Sequence, residues 1–156
     1  MGQKLTSQQG LVKAQKYCVY QERCHFEVRN KLYDWGLYSV DVEEVISSLI
    51  QDNFLNEERF AEAFARGKFR VKKWGRIKIL SELNRRHISE YCKKKGLEQI
   101  DEQEYMETLA DVLIRREKQE KEINPFIRKQ KLASYLNSRG FESDLVWELL
   151  NARVSE

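Results

Sequence analysis

The sequence predicts an all-α fold: three tandem three-helix, helix-turn-helix-like repeats in an elongated, curved array. Three observations predict it. Charged residues make up 34% of the 156 residues, with one proline and seven glycines, a composition that favours long solvated helices over sheet. Apolar residues recur at helical spacing, as in Val42, Val45, Ile46 and Leu49. One pattern also occurs three times: Leu32 to Leu37, Leu83 to Ile88 and Leu136 to Phe141 each read as a helix end, a tight corner and an apolar re-entry. The steps between their leucines are 51 and 53 positions, and a near-constant step of this size marks an array of like units. Units this small have little core of their own and should lean on their neighbours.

The elements follow in order. Residues 1–10 are expected as a flexible N-terminal tail, with repeats over 11–51, 52–100 and 101–156. In the first repeat, one helix runs from Leu11 to about Cys24 and a second from Phe26 to Trp35. Gly36 supplies a left-handed C-terminal cap, and Asp41 caps the third helix. In the second repeat, Asn56 is an N-cap and Glu57 and Glu58 suit the positive end of the helix dipole. Phe60 and Phe64, with Ala61 and Ala65, form the buried stripe. Trp74-Gly75 breaks the pattern, and Arg76 to Arg86 is the next helix, with Ile79, Leu80 and Leu83 inward. His87 stands where the sister repeats have Gly36 and Gly140; His tolerates the left-handed region better than most residues. Ser89 caps a helix with Cys92 and Leu97 inward and Gly96 as its weak point. The third repeat starts near Asp101-Glu102, with Tyr105, Leu109, Val112 and Leu113 inward, and its first helix runs to Glu122. Asn124-Pro125 opens the next, which ends at Ser138 before Gly140. Ser143 caps the last helix, which buries Leu145, Val146, Leu149 and Leu150.

Little in the chain suits catalysis. There is no Gly-rich phosphate loop. His25 and His87 are far apart, and neither lies beside a nucleophile elbow. Glu57 and Glu58 are adjacent on a helix and point apart. The chain is therefore expected not to be an enzyme and to need no cofactor. Cys18, Cys24 and Cys92 form no CxxC pair; Cys24-His25 resembles half a metal site, but no second pair has zinc-like spacing, so reduced, packed thiols are expected. No apolar run approaches the roughly 18 residues of a membrane span, and Met1 to Gly10 lacks the apolar core of a signal peptide, which gives a cytoplasmic expectation with no membrane partner.

Charge carries the functional signal. The net charge is only +3, but residues 66–95 hold twelve Lys/Arg against two Glu, net +10. Residues 52–65 are net −3 and residues 96–122 net −5. A strong local cation between acidic flanks points to a polyanion contacted by the middle repeat. Arg66, Arg70, Lys72, Lys73, Arg76, Arg85 and Arg86 are the candidate phosphate or filament contacts. Arg66, Arg70 and Lys73 fall on one helical stripe. Trp74, in a loop between Lys73 and Arg76, is the candidate for stacking on a base. No repeat shows an outward recognition helix of Asn, Gln and Arg, so backbone contact indifferent to sequence is expected.

Three segments also carry a family resemblance. Asp52-Asn53-Phe54-Leu55-Asn56-Glu57-Glu58-Arg59-Phe60-Ala61 resembles the Gly-Tyr-Leu/Ile-Asp-Asp-Glu-Arg-Phe-Ala signature of the RecX family of recombination regulators. Gly75-Arg76-Ile77 with Leu80 and Leu83 is similar to that family's middle helix. Lys131 to Phe141, ending Arg139-Gly140-Phe141, is similar to its closing Lys-to-Arg-Gly-Phe segment. Asn53-Phe54 departs from the Gly-Tyr, Asn56-Glu57 from the Asp-Asp, and His87 from a glycine. The resemblance implies a protein that binds the filament of a RecA-type recombinase on single-stranded DNA. It would inhibit the filament's ATPase, strand exchange and coprotease activities, and so act in DNA repair, recombination and the SOS response. The expected partners are that filament and single-stranded DNA, met by a monomer. The alternative is a general single-stranded nucleic-acid-binding helical-repeat module without a recombinase partner.

Overall fold

The computed structural model describes residues 5–154. These residues form helices and no strand, in the order α1 (Ser7–Tyr20), α2 (His25–Asp34), α3 (Ser39–Gln51), α4 (Glu57–Arg70), α5 (Arg76–Arg85), α6 (Glu90–Leu97), α7 (Glu102–Gln119), α8 (Pro125–Ser138) and α9 (Ser143–Val154). The all-helical tandem expected from the sequence is the fold observed.

The caps explain most boundaries. Asn56 accepts from Arg59 N, Ser89 from Cys92 N, Asp101 from Glu104 N and Asn124 from Phe126 N and Ile127 N, each supplying an acceptor oxygen to the orphan amides of a first turn. Gly36 (φ 91) and Gly140 (φ 97) are left-handed, and His87 adopts φ 58 in the same place. In all three corners the apolar re-entry residue donates back to the leucine: Leu37 N to Leu32 O, Ile88 N to Leu83 O and Phe141 N to Leu136 O. The recurring sequence pattern is thus one hydrogen-bonded corner made three times.

Several boundaries differ from expectation. α1 begins at Ser7, not Leu11, because Thr6 and Gln9 form a reciprocal capping box; of the expected tail, residues 1–4 lie outside the described residues. α1 also stops at Tyr20, and Cys24 is the N-cap of α2. Asp41 sits in the first turn of α3 and Tyr38 holds the cap position. α7 ends at Gln119, short of Glu122, and Ser143 is the first residue of α9 rather than its cap. Gly96 is not a weak point: it is buried, and a Cβ there would sit 2.7 Å from Ala61 O. The missing side chain lets α6 cross α4 in close contact.

The apolar core comes in two parts. One lies within the first repeat, where Ala14, Cys18, Val28, Leu32, Val42, Ile46 and Leu49 pack together. The other is continuous through the second and third, from Phe60, Phe69, Ile79 and Leu83 to Tyr105, Leu109, Leu136, Phe141 and Val146. Phe64 and Leu149 pack against this core only partly buried. The array is therefore uneven, with the last two repeats fused by one interior.

Candidate nucleic-acid interface

The fusion of the second and third repeats positions the basic segment. The start of α5 docks on the corner after α8. Gly75 N donates to Arg139 O at 2.8 Å and Ile77 N to Gly140 O at 2.9 Å. Only a bare backbone fits there, since a Cβ on Gly75 would lie 2.2 Å from the Gly140 carbonyl carbon. Beneath it, Tyr105 is fully buried. Its hydroxyl donates to Glu142 and accepts from Arg76 N at 3.0 Å. Burial, with that bond to Glu142, pushes the Tyr105 hydroxyl well above its usual pKa.

The eight candidate residues divide between this scaffold and the surface. Arg76 belongs to the scaffold: it pairs with Glu102 and Glu142, each at 2.8 Å, and its guanidinium lies 3.9 Å from the Tyr105 ring centroid. Burial opposes its charge, but the two carboxylates outweigh it and hold its pKa above the ordinary value. Arg86 also turns inward, pairing with Glu82 at 2.8 Å and, across to the first repeat, with Glu27 at 3.6 Å. Next to it, His87 meets Phe26 edge-on at 5.3 Å. Arg66 donates to Gln99 at 2.9 Å. Both docking corners thus take an arginine that the sequence offers equally to solvent; what selects the inward ones is a facing carboxylate on another repeat, a long-range pairing invisible to local pattern.

The others face out. Arg70 is exposed beside Glu104 at 3.7 Å, and Arg85 is 72% exposed beside Glu82 at 3.8 Å. Lys72 and Lys73 are exposed and enter no ion pair among the described residues. The expected stripe of Arg66, Arg70 and Lys73 is broken, because α4 ends at Arg70 and Lys73 turns left-handed (φ 58). That turn closes on the end of α4, Lys73 N donating to Phe69 O and Trp74 N to Lys68 O, and is braced from the third repeat: one guanidinium nitrogen of Arg139 donates to the carbonyls of both Lys72 and Lys73. Trp74 follows, half-buried and edge-on to Phe64, with Lys68 Nζ 5.0 Å and Lys78 Nζ 4.7 Å from its ring centroid. Sequence reasoning singled out Trp74 but missed Lys68, Lys78 and Phe64 as its companions. The four-residue spacing of Phe64 and Lys68 on one helix was the available signal.

The cysteines stay outside this chemistry. All are buried and free. Burial raises Cys18 to about 11 and Cys24 to about 12, so neither is a thiolate near neutral pH. No group of three or more His, Cys, Asp or Glu able to hold a metal occurs among the described residues.

Comparison with known proteins decides the lineage. A model of the second three-helix domain of RecX matches residues 56–97, and a model of its third three-helix domain matches residues 102–150. The chain belongs to the RecX family. It is 28% identical over 140 residues to the regulatory protein RecX of Bacillus cytotoxicus, covering 89% of this chain and 52% of that protein. It is 27% identical over 132 residues to that of Lactobacillus johnsonii, covering 85% and 49%. The chain thus spans about half the length of the curated RecX relatives it matches. Among solved structures, RecX from Lactobacillus salivarius superposes with a TM-score of 0.75 at 22% identity over 96% of both chains. A second structure of regulatory protein RecX gives 0.80 at 20% identity, over 97% of this chain and 81% of that one. These two likenesses establish the shared RecX fold. The matched domain boundaries coincide with α4–α6 and α7–α9, the two repeats that share a core. No helix among the described residues is long and apolar enough to cross a membrane.

Proposed function

We propose that the chain is a negative regulator of a RecA-type recombinase, acting in the cytoplasm as a monomer on the filament that the recombinase forms with single-stranded DNA. It inhibits the filament's ATPase, strand exchange and coprotease activities, and so tempers recombination and the SOS response. The observation that carries the reading is the outward cationic loop of the middle repeat, Arg70, Lys72 and Lys73 beside a tryptophan flanked by two lysines, in a chain of the RecX family. Cations neutralise phosphate and the indole offers a face to a base, the pairing that non-specific single-strand binding uses.

The deciding experiment is the DNA-dependent ATPase of RecA from the same cell, titrated with the protein. Sub-stoichiometric inhibition is expected, and no inhibition at any ratio defeats the reading. Salt-sensitive binding to bare DNA without any effect on the ATPase would favour the alternative, a single-strand-binding module with no recombinase partner, for which the flanked Trp74 is the supporting observation.

The binding residues have their own test. Replacing Lys72 and Lys73 together with Ala is expected to weaken single-strand binding and to flatten its dependence on log salt by roughly 1.4, at about 0.7 for each phosphate no longer neutralised. Arg76 and Arg86 are left in place because each pairs with a carboxylate of a neighbouring repeat, so their removal would disturb the docking as well as the charge. An unchanged slope rejects Lys72 and Lys73 as phosphate ligands.

A further inference from the structure

Beside the cationic loop, α4 leaves one of its faces uncovered. Phe60, Ala63, Phe64, Gly67, Lys68, Val71 and Lys72 recur at helical spacing along it and line a groove of about 300 Å³, walled on the other side by Gln21 and Glu22 of the first repeat. This is at the small end of ligand clefts, which run from roughly 300 to 1,000 Å³. Gly67 is its open centre: a Cβ there would meet nothing within 4 Å. Val71, at the mouth, is 76% exposed. An exposed aliphatic next to the half-buried Phe64 ring is surface that water solvates poorly.

We propose that this groove seats one unstacked nucleobase of the bound single strand. Three features select a base over an apolar protein side chain. The floor is aromatic: the half-buried Phe64 ring, backed by the buried Phe60 ring 5.5 Å away, and every base offers a π-face to such a floor. The rim is cationic: Lys68 and Lys72 line it, and Lys68 Nζ stands 5.5 Å from the Phe64 centroid and 5.0 Å from that of Trp74. The one carboxylate on the wall, Glu22, is paired through Oε1 with Arg59 at 2.7 Å, its buried Oε2 having no hydrogen-bond partner among the described residues, and Lys68 and Lys72 leave the rim net positive. A strand whose phosphates lie on Lys72 and Lys73 passes the mouth at Val71, and the base beside them has the groove beneath it. The loop would hold the backbone and the groove the base, two contacts of different chemistry on one helix end.

The proposal rests on the single-strand contact argued above, and the experiment separates the two. A labelled thymidine oligomer is compared with an abasic oligomer of equal length, which keeps the phosphates and lacks the bases. The protein is expected to bind the thymidine oligomer about ten-fold more tightly. Gly67→Leu fills the groove at an open helical position, and its thermal midpoint serves as the folding control. It is expected to cut the preference to what the Trp74 stack alone supplies, bringing the thymidine oligomer towards the abasic one and leaving the abasic affinity unchanged. Equal binding of both oligomers by the unsubstituted protein, or a full preference retained in Gly67→Leu, overturns the groove while the phosphate contact stands. Failure to bind either oligomer at low salt overturns both. If Gly67→Leu keeps the base preference and loses inhibition of the recombinase ATPase, the groove seats a protein segment, and the proposal is overturned in that direction.

Discussion

Gly75→Ala is expected to destabilise the protein by about 3 kcal/mol, the upper end of what overpacking usually costs. The backbone at Gly75 is ordinary (φ −75), so the new methyl brings no conformational strain of its own. Its cost arises from the partner: the Cβ would lie 2.2 Å from one atom of the Gly140 carbonyl group and 2.3 Å from the other. Neither is a side chain that can swing aside, so the second and third repeats must part. For a chain of this length that predicts a midpoint lower by roughly 6–12 °C. Gly67→Ala provides the contrast. It adds the same methyl to a helix position with open space and is expected to raise stability by about 0.5–1 kcal/mol, the usual glycine penalty relieved. Thermal melts of the two variants side by side test the docking directly; equal shifts would mean that the corner contact is not what joins the repeats.

Tyr105→Phe is expected to lower stability by about 2 kcal/mol, seen as a lower denaturant midpoint at unchanged slope. The ring stays, with its neighbours Phe69 at 5.7 Å and Phe141 at 5.5 Å. What disappears is the one oxygen that satisfies both Glu142 and the Arg76 amide. The Arg76 amide and Glu142 Oε1 then lose their partner, while Glu142 Oε2 keeps its bond to Arg76 Nε; an unmet donor or acceptor at such a site is costlier than never having had the bond. A loss below about 0.5 kcal/mol would show that water enters and takes the hydroxyl's place.

The helices and their caps were legible because they are local. Asn56, Ser89 and Gly140 act within a few residues of where they stand, and the periodic stripes around Phe60, Leu83 and Leu136 needed nothing beyond sequence spacing. The exposed part of the candidate site, Lys72 and Lys73, could be named from charge density alone. The division among the arginines could not. Arg76 and Arg85 look alike in sequence, and only Glu102 and Glu142, far along the chain, claim the first of them. Gly96 misled for the same reason. A glycine in a helical pattern reads as a defect until the facing backbone, here Ala61, is in place. The His87 corner was the reverse: its odd residue flagged a departure in sequence, yet the backbone turns there as it does at Gly140.

The grip of Arg139 on the carbonyls of Lys72 and Lys73 ties two events that look separate. The loop's turn closes on its own helix, Lys73 N on Phe69 O and Trp74 N on Lys68 O, and is braced by a residue that begins a different repeat's corner, so docking of that corner favours this form. Thermodynamic reciprocity then applies: whatever binds the loop in this form tightens the joint behind it by the same factor by which the joint improves binding. If a partner binds this loop, a lesion at the joint is expected to show as weaker affinity at a surface it never touches.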